Sequence, residues 1–207
     1  MSMMMNLRRR YGRKVLPYDA EVEYLESTGT QYITVGLLGK NNYDFDYKVV
    51  FTKLSTSDAT GIGGEYLTGR NCYIGLVRAD KTFTYHYKDT TSPVVVASNI
   101  KENTDYNVYA HLYSGEQYFV INGTKSETGT IKGDFTSDYY LRLFSVNSNW
   151  PLYSHLKLYY CKIFDNGILV RDYIPVRVGN VGYMYDKVSG QLFGNAGTGS
   201  FILGPDK

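Results

Sequence analysis

The sequence predicts an all-β chain, an antiparallel two-sheet sandwich or jelly roll, on three observations. Residues 43–52, YDFDYKVVFT, alternate in character. Tyr43, Phe45, Tyr47, Val49 and Phe51 fall on one side; Asp44, Asp46, Lys48, Val50 and Thr52 fall on the other. Period two with one polar face is a strand at a sheet surface. Residues 156–175, LKLYYCKIFDNGILVRDYIP, place two apolar-rich runs about Asn166-Gly167. Asn-Gly suits a type I′ hairpin turn, which needs φ > 0 at both central residues. Finally, turn signals recur about every 8–12 residues with no sustained helical period, the pattern of a sandwich or jelly roll.

Composition agrees. The chain has 207 residues, enough for one all-β domain with its own core. It carries 22 Tyr and 21 Gly but one Trp and five Pro. Tyr with Thr, Val and turn glycines favours strands. Most of these tyrosines read as strand packing with wet hydroxyls. Tyr also offers a rigid apolar face with a polar tip, the chemistry of a recognition surface. The net charge of +2 is too small for nucleic-acid binding by the folded body. Cys72 and Cys161 make no disulfide framework and read as buried free thiols. No CxxC or His/Cys cluster suggests zinc. No run is apolar enough to span a membrane as a helix. The start, MSMMMNLRRR, lacks the apolar core of a signal peptide, so use without classical secretion is expected.

Residues 1–17 form a basic arm ahead of a body at 18–207. Met3, Met4, Met5, Arg8, Arg9, Arg10, Tyr11 and Arg13 give it adaptable apolar contacts and carboxylate-seeking guanidinium groups. It reads as a docking peptide or as a terminal tail. Residues 21–36, EVEYLESTGTQYITVG, are a strand, a Ser-Thr-Gly-Thr turn and a second strand. The strand at 43–52 follows, then a Ser/Thr/Gly-rich loop, LSTSDATGIGG. Residues 72–78 and 82–88 pair about Ala79-Asp80-Lys81. Residues 93–97 are an edge strand that Pro93 opens. Residues 106–113 alternate, turn at Ser114-Gly115-Glu116-Gln117, and return through 118–121 to Asn122-Gly123. Residues 139–146 are a further strand, ended by the loop from Asn147 to Pro151. In the hairpin that follows, a two-residue turn sets Phe164 opposite Leu169, Ile163 opposite Val170, Cys161 opposite Asp172 and Tyr160 opposite Tyr173. One face then holds Tyr159, Cys161, Ile163, Val170 and Ile174, and the other sets Lys162 beside Arg171. Residues 183–186 and 191–193 close the chain as a second hairpin.

Three segments, YLESTGTQYI, INGT and LKLYYCKIFDNGILVRDYIPV…GYMYDKVSGQLFGNAGTGSF, resemble a widespread group of concanavalin A-like, laminin-G-like jelly-roll proteins of gut bacteria and their phages. The resemblance covers residues 18–205. It implies a concanavalin A-like jelly roll and a bias toward recognition. Members commonly carry Asp after QYI, where this chain has Thr34. The architecture hosts lectins, glucanases and plain interaction modules alike.

Glu21, Glu23 and Glu26 spell E-x-E-x-x-E, close to the E-x-D-x-x-E of glucanases with this fold. Retaining hydrolysis needs two carboxyls roughly 5–5.5 Å apart, which strand neighbours at i and i+2 nearly meet. The missing Asp and the lack of Trp nearby favour a solvated strand face. His86, His111 and His155 stand apart, without metal spacing. Asp44 and Asp46 share a face with Lys48 and do not converge as calcium ligands. Gly61 to Gly64 mimic a phosphate loop without the helix that such a loop needs. The loop holding Asn147, Asn149, Trp150 and Tyr153 is the glycan candidate: aromatics stack on sugar rings and amides satisfy hydroxyls. Trp150 has the alternative role of plugging the sandwich end. Tyr66, Arg70 and Asn71 form a lesser candidate.

The reading that unites these features is a non-enzymatic phage virion protein: a capsid decoration, head-fibre or tail-associated subunit. The arm would dock on other virion proteins, and the sandwich would face host or mucosal glycans. No cofactor or metal is expected, and no membrane partner; homo-oligomers are plausible for a fibre. The alternative is a carbohydrate-binding module of a bacterial cell surface. A glycoside hydrolase is the third reading.

Overall fold

The computed structural model describes residues 16–56, 60–67, 70–85, 88, 94–130, 132–149 and 152–207. The arm residues Met3 to Arg13, His86, Pro93 and Trp150 lie outside these. In chain order the strands begin with β1 (Ala20–Glu21), β2 (Leu25–Thr28), β3 (Ile33–Lys40), β4 (Tyr43–Lys53), β5 (Thr60–Leu67) and β6 (Arg70–Val77). Next come β7 (Phe83–Tyr85), β8 (Val94–Ala97), β9 (Asp105–Tyr113), β10 (Glu116–Ile121), β11 (Thr124–Lys125), β12 (Thr136–Leu143) and β13 (Ser145–Asn147). The last are β14 (Leu152–Tyr153), β15 (His155–Asp165), β16 (Ile168–Val178), β17 (Val181–Asp186), β18 (Gln191–Phe193) and β19 (Ile202–Leu203). Among the described residues there is no helix.

Two sheets form the sandwich. The larger runs β11-β10-β9-β4-β15-β16-β17-β18, with β1 beside β16 and β2 between β15 and β19. The smaller runs β14-β13-β5-β6-β7-β8, with β12 bridging β3 and β5. The core lies between them. Strand β4 supplies Tyr43, Phe45, Tyr47, Val49 and Phe51, and the smaller sheet answers with Cys72, Ile74, Phe83, Leu141 and Leu143. Buried hydroxyls need partners, and two tyrosines find theirs across the sandwich. Tyr47 donates to the Ile74 carbonyl at 2.9 Å, and Tyr173 to that of Val35 at 3.2 Å.

Asn166 and Gly167 adopt φ of 49° and 76°, as the type I′ turn requires. The register departs from a plain hairpin one step in. Phe164 faces Leu169, but Ile163 faces Arg171, Lys162 faces Asp172 and Cys161 faces Tyr173. Val170 is the extra residue of a β-bulge, which shifts every later side chain by one place. The buried set is therefore Cys161, Ile163 and Tyr173, and Ile174 turns away from it. The expected like-charge pair of Lys162 and Arg171 is replaced by Lys162 and Asp172.

Three further expectations are corrected. Residues 61–64 are strand β5, not a loop, because glycine permits close backbone approach. A Cβ on Gly63 would stand 2.5 Å from the Arg142 carbonyl oxygen. The strand expected at 139–146 breaks at Phe144, whose φ is 67°. The chain turns there, so β12 lies antiparallel to β5 and β13 lies parallel to it. Asp44 is not on a solvated face; it is 6% exposed beneath Tyr109, His111 and Tyr113.

Candidate functional site

The start of β3, strand β14 and the loop after β18 meet in a cleft. Its first wall is the turn between β2 and β3. Gln31, 2% exposed, folds back under this turn, and its Oε1 accepts from the Thr28 amide at 2.8 Å and the Ser27 hydroxyl at 3.1 Å. Gly29 turns the chain at φ 97°, over His155. Held this way, the turn presents Thr30 and Tyr32.

The second wall is the loop at residues 195–199, strapped to the first. The Ala196 amide donates to the Tyr32 carbonyl at 2.8 Å, and the Thr198 amide to the Thr30 carbonyl at 3.1 Å. The Thr30 hydroxyl donates to the Thr198 carbonyl at 2.9 Å. Asn195 Oδ1 accepts from the amides of Tyr32 and Gly197. A side chain on Gly197 would overlap the Thr30 carbonyl, so glycine is needed for this closeness.

Tyr153 forms the third wall, across from Ser145 at the edge of the smaller sheet. Its ring centroid lies 6.2 Å from that of Tyr32, with the planes tilted by 49°. Thr30, Tyr32, Tyr153, Ala196, Gly197 and Thr198 line an open cleft of about 320 Å³. That is near the lower end of the roughly 300–1,000 Å³ of small-molecule sites. The Arg142 guanidinium stacks 4.0 Å over the Tyr32 ring. The exposed Tyr153 ring can stack on one face of a sugar-sized ring, with polar backbone nearby for its hydroxyls.

Of the residues singled out in sequence, Tyr153 lines this cleft. The amides of Asn147 and Asn149 are engaged elsewhere: Asn147 Nδ2 donates to the Tyr140 carbonyl at 2.8 Å, and Asn149 Oδ1 accepts from the Tyr139 hydroxyl at 3.0 Å. They shape the loop instead of facing the cleft. Trp150 lies outside the described residues. Backbone pairing joins Tyr66 to Asn71 near the end of β5 and β6, with Arg70 paired to Leu67; their side chains lie outside the description.

The glutamate motif does not assemble. The strand ends after Glu21, and Glu23 sits on an exposed bend. Glu21 accepts from the Tyr18 hydroxyl at 3.3 Å, and Glu26 stands 3.9 Å from the Lys157 ammonium. Among the described residues, no three His, Cys, Asp or Glu side chains group as metal ligands.

The richest tyrosine surface is the outer side of the larger sheet, and its ring faces are occupied. His111 stacks between Tyr113 and Tyr118 at 4.1 and 4.8 Å. Lys48 covers Tyr159, Lys157 covers Tyr24 and Lys125 covers Tyr118. Asp44 accepts from Tyr109, His111 and Tyr113. Burial, then the Asp44 charge and hydrogen bond, push the Tyr113 hydroxyl up to about 12. Asp46 similarly takes the Tyr160 hydroxyl at 2.9 Å. These groups satisfy one another, which fits a structural role.

Burial also pushes the Cys72 and Cys161 thiols upward, and both are free. Glu65 is fully buried, and loss of solvent raises its carboxyl to about 8.

Sequence reasoning missed Tyr32, Arg142 and the loop at 195–199. Their signal is the pair of Gly/Thr turns in STGTQY and GNAGTGS. The two segments lie far apart in sequence and meet only in the fold.

No protein-family model matches the sequence, and no curated protein matches it. Among solved structures, a proposed carbohydrate-binding protein from Bacteroides ovatus superposes with a TM-score of 0.63 at 12% identity. The match covers 90% of this chain and 61% of that one, so the chain spans about three-fifths of that neighbour's length. At this identity the likeness establishes the β-sandwich fold alone. A mutant of Trypanosoma rangeli sialidase displaying trans-sialidase activity overlaps 59% of this chain and 20% of its own. Its identity is 11% and its TM-score 0.45, which carries no argument about function.

Proposed function

We propose that this chain is a non-catalytic carbohydrate-binding β-sandwich whose ligand seats in the cleft that Tyr32 and Tyr153 line. The observation that carries this reading is the cleft: two tilted rings 6.2 Å apart, closed by a loop that hydrogen bonds hold against the β2–β3 turn. The fold likeness to a proposed carbohydrate-binding protein agrees with it. The hydrolytic reading has less support, because Glu23 sits on an exposed bend beyond the strand end at Glu21 and the three carboxyls do not line one strand face.

The test is a glycan array followed by titration calorimetry on Tyr153→Ala and Tyr32→Ala. Tyr153 is 39% exposed, so its loss should leave the fold intact. Aromatic contacts contribute roughly 0.5–1.5 kcal/mol beyond the area they bury, so each variant should bind about two- to tenfold more weakly. Unchanged affinity in both variants would refute the site.

The setting is a separate proposal. The arm with Arg8, Arg9, Arg10 and Arg13 favours docking on a phage particle; a bacterial cell surface is the other setting. Co-sedimentation of the full chain, but not of a chain starting at Pro17, with particles lacking the protein would support the virion. Sedimentation of neither would favour the bacterial module.

A further inference from the structure

We propose that the cleft selects sugars that carry a carboxylate, and that Arg142 recognises that group; this rests on the cleft being a sugar site. Arg142 lies on β12, opposite Thr34 of β3 and Gly64 of β5. Its guanidinium packs on Tyr32, the side chain that forms one wall. Stacking fixes the plane of the fork, which lowers the entropy lost when it binds a carboxylate.

The charge has no counterpart. Arg142 Nε is buried without an acceptor, and among the described residues the guanidinium makes no hydrogen bond or ion pair. Its cross-strand neighbours supply no carboxylate, since Thr34 is neutral and Gly64 has no side chain. Two other arginines in the fold are matched. Arg177 takes both oxygens of Asp206 at 2.8 and 2.7 Å, and Arg171 stands 3.8 Å from buried Asp186 while donating to the Val170 carbonyl. A partly desolvated cation without an anion is unfavourable. Arg142 stands behind the Tyr32 wall and its Nε is closed to solvent, so an external carboxylate at the edge of the cleft would meet the terminal nitrogens of the fork by charge-assisted hydrogen bonds. A neutral hexose would contact the rings and leave the cation unmatched.

The test compares methyl glucuronide, methyl glucoside and methyl N-acetylneuraminide by titration calorimetry on the full chain. At least one acidic sugar should bind about 10–100-fold tighter than the glucoside, the range of one charge-assisted hydrogen-bond pair. Which acidic sugar wins distinguishes a hexuronic acid from a nine-carbon acid. Arg142→Gln should abolish the preference, so that acidic and neutral sugars bind with similar affinity whatever the change in absolute affinity. Thr34→Asp should abolish it with the arginine still present, because the new carboxylate stands directly opposite Arg142. Equal affinity of the wild type for acidic and neutral sugars, with binding still lost in Tyr153→Ala, overturns the inference alone. A preference that survives both Arg142→Gln and Thr34→Asp also overturns it. If no sugar binds, the reading of the cleft falls and the inference falls with it.

Discussion

Replacing Glu65 by glutamine should remove a pH dependence from the stability of this fold. Glu65 is fully buried on β5, against Gly39 of β3 and Ser137 of β12. One carboxyl oxygen takes the Ser137 hydroxyl at 2.7 Å; the other is buried without a partner. Loss of solvent raises the group from 4.5 to about 8, against smaller opposing effects of Ser137 and the Cys72 amide. An acid whose native value exceeds its unfolded one holds its proton better when folded. The unfolded chain therefore releases this proton first, and stability falls as pH rises from about 4.5 to about 8. Each pH unit in that window is a tenfold change in the ionisation ratio, so the full effect approaches about 5 kcal/mol at its upper bound. For a chain of this size that is a drop in melting temperature on the order of 10–20 °C. Glutamine keeps the volume and a partner for Ser137 but does not titrate. Calorimetric melting of both proteins between about pH 5 and about pH 9 isolates the effect, since all other groups are shared. The difference should grow in favour of the variant as pH rises. Parallel profiles would refute the account of Glu65 as a buried, protonated acid.

Two further outcomes follow from packing. Gly197→Ala should push the loop at 195–199 off the β2–β3 turn, costing about 1–3 kcal/mol of stability and weakening sugar binding; differential scanning calorimetry and titration check it. Cys72 and Cys161, buried and shifted upward, should resist a thiol reagent in the native state and react on unfolding, which a denaturant series with Ellman's reagent reads directly. Fast labelling of both in native buffer would refute their burial.

The strand pattern was legible because a pleated strand with one buried face must alternate, and residues 43–52 do so. Asn166-Gly167 was legible because few residues tolerate positive φ. The bulge at Val170 was not, since register depends on what the partner strands bury, and Tyr173 displaced Ile174 from the core. Strand β5 was hidden because its glycines carry the composition of a loop; only the close approach of β12 makes sense of them. Tyr153, which lines the cleft, was singled out through its place beside a polar, aromatic loop. Its partner Tyr32 lies 121 residues earlier, and their meeting depends on sheet order.

Local chemistry, then, determined this protein's fold class and most of its turns, because periodicity and φ preference are properties of short stretches. Tertiary structure alone decided which tyrosines are open to a ligand. On the larger sheet, neighbours cover the rings of Tyr118 and Tyr159. At the cleft, Tyr153 keeps an exposed ring beside free volume, while Arg142 covers one face of Tyr32 and is left without a counter-charge. Whether a ring or a charge is already satisfied depends on long-range contacts, and no local pattern of residues encodes that.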